Sequence, residues 1–337
     1  MTRRITGKLN LAPRRAMLVD RGLEFTEVSM PSPLLEPFVE LIRRASTDLP
    51  RDIEDEIRRG RDREKQGSLA RSALDQVLEN VALARERSAP MCQDTGTNIW
   101  TVHYPSGHDE RNLRAAIVEA TREATRRSYL RANAVDPLTG ANSGDNTGAH
   151  APVIHLERWG KDRLQADLLL KGGGCENVSA QYALPDVGLG AGRDLEGVRR
   201  IVIDAVVKAQ GKGCAPGYLG VCMGGDRLTG HLVAKEMIYR LADDHNPEPR
   251  LAELEERLTR ELNSLGVGPM GFGGATSVLG VKIGTAHRLP ASYYVTIAYE
   301  CWACRRATLE IGPGAPMFGQ VAHTARSYAP HSQGGAA

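Results

Sequence analysis

The chain has 337 residues, of which 41% are hydrophobic and 25% are charged, a composition typical of globular proteins that bury a sizeable core without disulfides. Lysine and arginine number 43 against 41 aspartate and glutamate residues, so the net charge of +2 excludes a strongly basic nucleic-acid or membrane-surface protein. No stretch reaches the roughly 20 apolar residues of a membrane span, and residues 1–20 lack the apolar region of a secretory signal. We therefore expect a cytoplasmic protein whose cysteines are reduced.

Helical periodicity dominates the chain from about residue 31 to residue 90. Apolar and charged patterns predict three helices, at 35–42, 52–65 and 69–87. Ser68 is a candidate N-cap for the third helix, and Pro90 ends the helical region. The chain is thus expected to begin with an extension over 1–30, followed by a helical layer over 31–90.

Short strands, glycine-rich turns and further helices alternate after Pro90. Strands are predicted at 98–103, 163–170 and 292–298, and helices at 111–129, 195–210, 229–241 and 250–265. The predicted fold class is α+β, with a helical N-terminal layer followed by a mixed α/β body over 91–315. A tail over 316–337 is expected to follow it.

Four segments combine a cysteine with small or turn-forming residues, which places a thiol at a pocket instead of on a helix face. They are 90–96 (PMCQDTG), 171–177 (KGGGCEN), 212–217 (KGCAPG) and 299–306 (YECWACRR). A single cysteine is most often a small buried hydrophobe. Cys301 and Cys304 have the C-x-x-C spacing of zinc ligands, and thiolates also hold iron–sulfur clusters. From the residues alone, all three interpretations stay open.

The segment at 90–96 resembles the signature of class I (iron–sulfur) fumarate hydratases and of the alpha subunit of L(+)-tartrate dehydratase. The resemblance continues in family order through 130–135, 145–148, 171–174, 214–216, 268–274, 278–282 and 301–306. It covers roughly residues 35–312, and an ordered series of this kind is far more specific than one short motif.

The resemblance implies that Cys92, Cys214 and Cys301 hold a [4Fe-4S] cluster through three of its irons. The fourth iron would bind the carboxylate and hydroxyl of a substrate and act as a Lewis acid. Gln93 and Asp94 would bind substrate, with Asp94 also a candidate for proton transfer. Asp94 before Thr-Gly is also a common turn-forming residue, which is the structural alternative.

Two more substrate contacts are implied by the resemblance. Arg131 would bind a substrate carboxylate, although an arginine near a helix end is usually solvated. Gly174, in the glycine run at 172–174, would offer a backbone N–H to an oxyanion; the alternative is a tight loop after a strand. Relatives commonly carry a histidine where this chain has Leu289, and we expect His287 to replace it as a catalytic residue.

The function implied by the resemblance is that of a hydro-lyase alpha subunit that reversibly dehydrates malate to fumarate. L(+)-Tartrate dehydration to oxaloacetate is the alternative, because Cys175 stands where fumarase-like members usually have serine. A non-catalytic cluster- or zinc-binding protein is the alternative from another class.

Since single-chain relatives carry a second domain, we expect a separate beta subunit here, together with dimerisation through the alpha chain. No nucleic-acid or membrane partner is expected.

Overall fold

The computed structural model describes residues 32–313 and 320–322. The predicted extension over 1–30, and all of the predicted tail except 320–322, lie outside the described residues. Within them the fold is α+β, with helices first and mixed sheets after, as predicted. In the described ranges, no helix is long and apolar enough to cross a membrane.

The three N-terminal helices form as predicted. They are α1 (Leu35–Thr47), α2 (Arg51–Arg63) and α3 (Leu69–Arg87). The Ser68 side chain accepts a hydrogen bond from the N–H of Arg71 at 3.2 Å, which confirms it as the N-cap of α3. Apolar residues of α1 pack with α4 (Glu110–Arg126) against the first sheet, whereas those of α2 and α3 belong to the core of the second.

The first sheet has five strands in the order β2-β1-β3-β8-β9. Their bounds are β1 (Thr97–Tyr104), β2 (Val153–Arg158), β3 (Leu164–Lys171), β8 (Arg306–Ile311) and β9 (Gln320–Ala322). Strand β1 pairs parallel with β2 and antiparallel with β3. The buried ring of Trp100 on β1 meets Phe38 of α1 edge-on, with 5.2 Å between ring centroids, and this contact fixes the helix on the sheet.

The second sheet has four strands in the order β4-β7-β5-β6. They are β4 (Ala180–Ala183), β5 (Gly217–Gly224), β6 (Val278–Ala286) and β7 (Tyr294–Glu300). Its helices are α6 (Leu195–Ala209), α7 (Arg227–Met237) and α8 (Pro249–Ser264), while the short α5 (Gly173–Val178) follows β3. A Cβ on Gly220 would lie 1.9 Å from the carbonyl oxygen of Ala234, so glycine lets α7 lie directly on β5.

Strand pairing brings the ends of the cysteine-bearing segments to one region. Thr97 at the start of β1 is opposite Lys171 at the end of β3. In the other sheet, Tyr218 near the start of β5 is opposite Glu300 at the end of β7. The Nζ of Lys171 donates to the carbonyl oxygen of Tyr299 at 2.6 Å, which joins the two sheets at these ends.

Candidate active site

The loop that carries Cys92 is anchored by the helical layer. The N–H of Met91 donates to the carbonyl oxygen of Ser46 at the end of α1, at 3.0 Å. The side chain of Asn80 on α3 donates to the carbonyl oxygen of Met91 at 2.8 Å. Met91 itself is buried, so Cys92 follows a fixed backbone and is half-buried.

Cys214 lies in a left-handed turn between α6 and β5. Its φ of 55° and ψ of 60° are uncommon for a residue other than glycine, and they turn the chain into β5. The flanking Gly213 and Gly217 are held against the ring of Tyr299, where a Cβ would lie 2.5 Å and 2.4 Å from ring atoms. The N–H of Trp302 donates to the carbonyl oxygen of Cys214, so the loops of Cys214 and Cys301 are adjacent.

The groups that influence the thiol of Cys214 and the hydroxyl of Tyr299 indicate that the cysteines lie near one another. Burial raises the pKa of the Cys214 thiol, and the neighbouring Cys175, Cys92 and Asp94 raise it further. Burial also raises the pKa of the Tyr299 hydroxyl, followed by the effects of Cys301, Cys175 and Cys214. The structure therefore brings together the three predicted ligand cysteines, and it adds Cys175 as a fourth thiol.

Asp94 lies in the same site, and both of its carboxylate oxygens are oriented by backbone groups. Oδ1 accepts from the N–H of Gly96 at 3.1 Å, which is the turn-forming role named as its alternative. Oδ2 accepts from the N–H of Gly173 at 2.8 Å. A Cβ on Gly172 would lie 3.3 Å from Oδ2 and also 3.3 Å from the Sγ of Cys175, so glycine permits this close approach.

The other predicted substrate contacts surround Asp94. The N–H of Arg131 donates to Oγ1 of Thr95 at 3.1 Å, which holds Arg131 beside the Asp94 segment. Its side chain is exposed and, among the described residues, makes no ion pair or hydrogen bond. Gln93 is exposed between Cys92 and Asp94. Gly174 lies in the first turn of α5, where backbone N–H groups have no partner within the helix.

Two buried cationic side chains, Lys171 and Arg305, lie close to the cysteine site. Lys171 is fully buried, and its Nζ lies 3.3 Å from a carboxylate oxygen of Glu176 and 3.8 Å from one of Glu300. Arg305 is 1% exposed and donates through Nη1 to the carbonyl oxygen of Asp94. Within the described part of the chain Arg305 makes no ion pair, and its Nε has no hydrogen-bond partner.

Arg305 provides a test of whether an iron–sulfur cluster suits this site. A guanidinium is permanently charged, and burying a charge without a partner costs several kcal/mol. An anionic group held by cysteine thiolates would add to the negative charge that Glu300 supplies near Arg305. The donor set of sulfur atoms from Cys92, Cys214 and Cys301 matches the ligands that such clusters take. The residues present therefore fit a cluster.

His287 does not join this site within a single chain. It follows β6 and lies at the end of the sheet where Ala286 pairs with Gly224, whereas Cys214 and Cys301 flank the opposite end of β5. Strand β5 has eight residues, and a rise of ~3.3 Å per residue separates the two ends by about 23 Å. Leu289, 73% exposed on the β6–β7 connection, lies at the same distant end. Within one chain His287 therefore lies far from these cysteines, and its catalytic role stays a prediction.

The C-x-x-C spacing does not make Cys304 a partner of Cys301. Cys304 is buried beside Arg306, whose Nη1 lies 3.6 Å from its Sγ, and it starts the return into β8. Among the described residues, the group of potential metal ligands that does converge is Cys175, Glu300 and Cys301. Sequence reasoning missed Glu300. Its signal was a carboxylate at the end of an apolar strand, directly before a cysteine.

Comparison with known proteins decides the family. The sequence profile described as Fumarate hydratase (Fumerase) matches residues 36–310, which is most of the chain. The chain belongs to the fumarate hydratase family. A protein of Geobacillus stearothermophilus named as a class I fumarate hydratase is 46% identical over 283 residues, which is 83% of this chain and 55% of that protein.

Two other relatives match this chain over nearly their whole length. A Methanocaldococcus jannaschii protein named as an L(+)-tartrate dehydratase subunit alpha is 32% identical over 279 residues, 81% of this chain and 95% of that protein. The L(+)-tartrate dehydratase subunit alpha of Escherichia coli K12 is 31% identical over 285 residues, 83% of this chain and 90% of that protein. The chain therefore spans about half of the first relative and nearly all of the other two.

Proposed function

We propose that this chain is the iron–sulfur-carrying alpha subunit of a hydro-lyase that reversibly dehydrates malate to fumarate. The observation that carries the proposal is that Cys92, Cys214 and Cys301 lie in one region, with the buried guanidinium of Arg305 donating to Asp94 in the same site. Membership of the fumarate hydratase family supports the reaction class. The 46% identity to a protein named as a class I fumarate hydratase favours malate and fumarate as substrates.

Cys92, Cys214 and Cys301 would hold a [4Fe-4S] cluster. When bound, the cluster supplies a Lewis-acidic iron that weakens the substrate C–OH bond. Arg305 supplies positive charge beside the thiolates, and the helical layer holds the Cys92 loop through Met91. The protein therefore contributes a fixed set of ligands and a local charge that suits an anionic group.

Asp94 is the candidate base for the proton on the carbon next to the departing hydroxyl. Its carboxylate is oriented by the N–H groups of Gly96 and Gly173, so it approaches substrate in one direction. A base held in hydrogen-bonding reach of the proton it removes typically contributes 10²–10⁴-fold to the rate, roughly. In the hydration direction the same carboxyl group would return the proton to carbon.

Arg131, Gln93 and Gly174 would orient the two carboxylates of a dicarboxylic acid. The guanidinium of Arg131 matches the planar geometry of a carboxylate and is held near Asp94 through its own backbone. Gln93 offers an amide at the open side of the site, and Gly174 offers a backbone N–H from the first turn of α5. These groups bind substrate without any change in their own protonation.

L(+)-Tartrate dehydration to oxaloacetate is the second candidate, and the identity of 32% and 31% to two relatives named as alpha subunits of that enzyme supports it. The chain spans 95% and 90% of two relatives named as tartrate dehydratase alpha subunits, but 55% of the relative named as a fumarate hydratase. In both cases we propose that a separate beta subunit completes the active site. Dimerisation through the alpha chain is a further prediction, which light scattering of the purified chain tests directly.

A cytoplasmic location is proposed from cysteine chemistry. All six cysteines are free thiols, and reactive thiols of this number persist in reducing compartments. A cluster with an iron open to substrate also requires protection from oxidation. Fractionation of cells that express the tagged full chain would place it directly.

The experiment that tests the function is an anaerobic assay of the cluster-loaded chain with malate and with L(+)-tartrate, in the presence and absence of a candidate beta subunit. The proposal predicts turnover of malate that requires the beta subunit and is lost in Asp94→Asn. Faster turnover of tartrate would favour the second candidate. A loaded complex that dehydrates neither acid would support the alternative of a non-catalytic cluster- or zinc-binding protein.

A further inference from the structure

Cys175, Glu300 and Cys301 form a compact group that shares Cys301 with the proposed cluster ligands. The two sulfur atoms and one carboxylate oxygen all lie within 4.8 Å of one another, and all three residues are buried. In a tetrahedral site with metal–sulfur bonds of ~2.3 Å, sulfur atoms are separated by about 3.8 Å. The group therefore needs only a small inward movement to bind one ion.

The carboxylate of Glu300 is a second, independent indication of a ligand. Glu300 is 0% exposed, and its carboxylate makes no hydrogen bond of ordinary geometry among the residues that the structure describes, although the Cys175 thiol and the Cys301 N–H lie beside it. Buried polar groups are almost always hydrogen-bonded, because an unmet group costs free energy. A metal ion bound between Glu300 and the two sulfurs would satisfy this carboxylate.

The local charge balance also suits a divalent cation. Two thiolates and one carboxylate carry three negative charges, so a divalent ion leaves one negative charge on the group. The ammonium of Lys171, 3.8 Å from the Glu300 carboxylate and 3.3 Å from that of Glu176, and the guanidinium of Arg305 supply positive charge near this group. Ligands of two sulfurs and one oxygen favour a soft or borderline cation such as zinc over magnesium or calcium.

We propose that the chain without a cluster binds one soft divalent cation, of the zinc class, on Cys175, Glu300 and Cys301. Binding forms two metal–sulfur bonds and one metal–oxygen bond, displaces water from the cation and releases one proton from each thiol to solvent, so no oxidant or reductant is needed. Cys301 is also a proposed cluster ligand, so the ion and the cluster exclude each other. This exclusion rests on the proposed function, whereas binding of the ion does not.

Cobalt(II) titration of the full chain without its cluster tests the binding site, because thiolate–cobalt bonds give a charge-transfer absorption band. Wild type and Cys92→Ser should each bind one cobalt per chain with this band. Cys175→Ser and Glu300→Gln should bind it more than tenfold more weakly. Cys222→Ser, which changes a buried cysteine of β5, is the matched control and should bind as wild type does.

Equal cobalt affinity of Cys175→Ser and wild type, or loss of binding in Cys92→Ser, would overturn the proposal. Circular dichroism establishes that each variant is folded. X-ray absorption of the zinc-loaded wild type gives a measurement that needs no variant. Two sulfur ligands with oxygen are expected, and three or four sulfur ligands would contradict the site.

Exclusion is tested by anaerobic cluster assembly on chain preloaded with zinc. Iron incorporation should fall more than tenfold in wild type and should be unaffected in Cys175→Ser. Equal incorporation into zinc-loaded and zinc-free wild type would overturn the exclusion. Failure of the zinc-free wild type to take up iron would instead refute the proposed function and leave the cobalt result standing.

Discussion

Gly172→Ala tests whether close packing around the site controls its chemistry. The backbone at Gly172 has φ −63° and ψ 143°, which alanine adopts without strain. The added Cβ would lie 3.3 Å from three site atoms: Nη2 of Arg305, Oδ2 of Asp94 and Sγ of Cys175. All three must move by a few tenths of an ångström, whereas the rest of the fold is untouched.

We expect Gly172→Ala to lower turnover or iron content by roughly 10–100-fold, because both depend on the placement of these groups. The free energy of unfolding should fall by less than about 3 kcal/mol, the usual range for a single added methyl group in a packed region. The assays are anaerobic turnover, iron content per chain and thermal unfolding followed by circular dichroism.

Gly174→Ala is the matched control, two residues away. Its Cβ would meet only the carbonyl oxygen of Lys212 at 3.6 Å, an ordinary contact, and alanine keeps the backbone N–H. Alanine within α5 should even stabilise the helix slightly. Unchanged activity and iron content in Gly172→Ala, or equal damage from Gly174→Ala, would refute the reasoning.

Single contacts elsewhere in the chain predict three further outcomes. Arg131→Lys keeps the positive charge but loses the bidentate geometry of the guanidinium. KM for the dicarboxylate should therefore rise about tenfold while thermal stability is unchanged. An unchanged KM would show that Arg131 does not bind substrate. Gly220→Ala places a Cβ 1.9 Å from the carbonyl oxygen of Ala234. It should lower the free energy of unfolding, measured with denaturant, by about 3 kcal/mol or more. The control Gly160→Ala, whose Cβ would lie in open space, should lower it little. Ser68→Ala removes the N-cap of α3 and should cost about 1 kcal/mol in the same assay, and a loss below a few tenths would contradict the cap.

The helical part of the fold was predictable because its signals are local. Apolar spacing and the Ser68 cap indicate α3 from neighbouring residues alone. Strand β5 was missed because three of its eight residues are glycine, at 217, 220 and 224, and the close approach of α7 explains the one at 220. Glycine within a strand pattern usually indicates a bulge or a bend, so β5 becomes recognisable as a strand only once its contact with α7 is known.

The site was predictable in part from motifs. Family resemblance named Cys92, Cys214, Cys301 and Asp94, and the structure brings all four together. The family resemblance could not show where His287 lies, because the pairing of β5 with β6 puts that residue at the opposite end of β5. Sequence spacing records how far apart residues are along the chain, and sheet topology alone decides which ends meet.

The buried electrostatics could not be predicted from the sequence. Glu300 and Lys171 are 129 positions apart and interact only because β3 and β7 end at the same place. Arg305 likewise gains its importance from being buried without an ion pair in the described part of the chain. The burial and the partners of such groups are properties of the folded chain, and a local signal such as the carboxylate that ends the apolar strand at Glu300 does not name the partners.

Anaerobic iron and sulfide analysis, with an absorbance spectrum, tests the central claim most directly. Wild type and the control Cys222→Ser should be brown and contain about four irons and four sulfides per chain, whereas Cys92→Ser should lose most of both. A colourless wild type that contains zinc, or takes up no iron after cluster reconstitution, would contradict the account. The fumarate hydratase family would then describe the fold of this chain and not its chemistry.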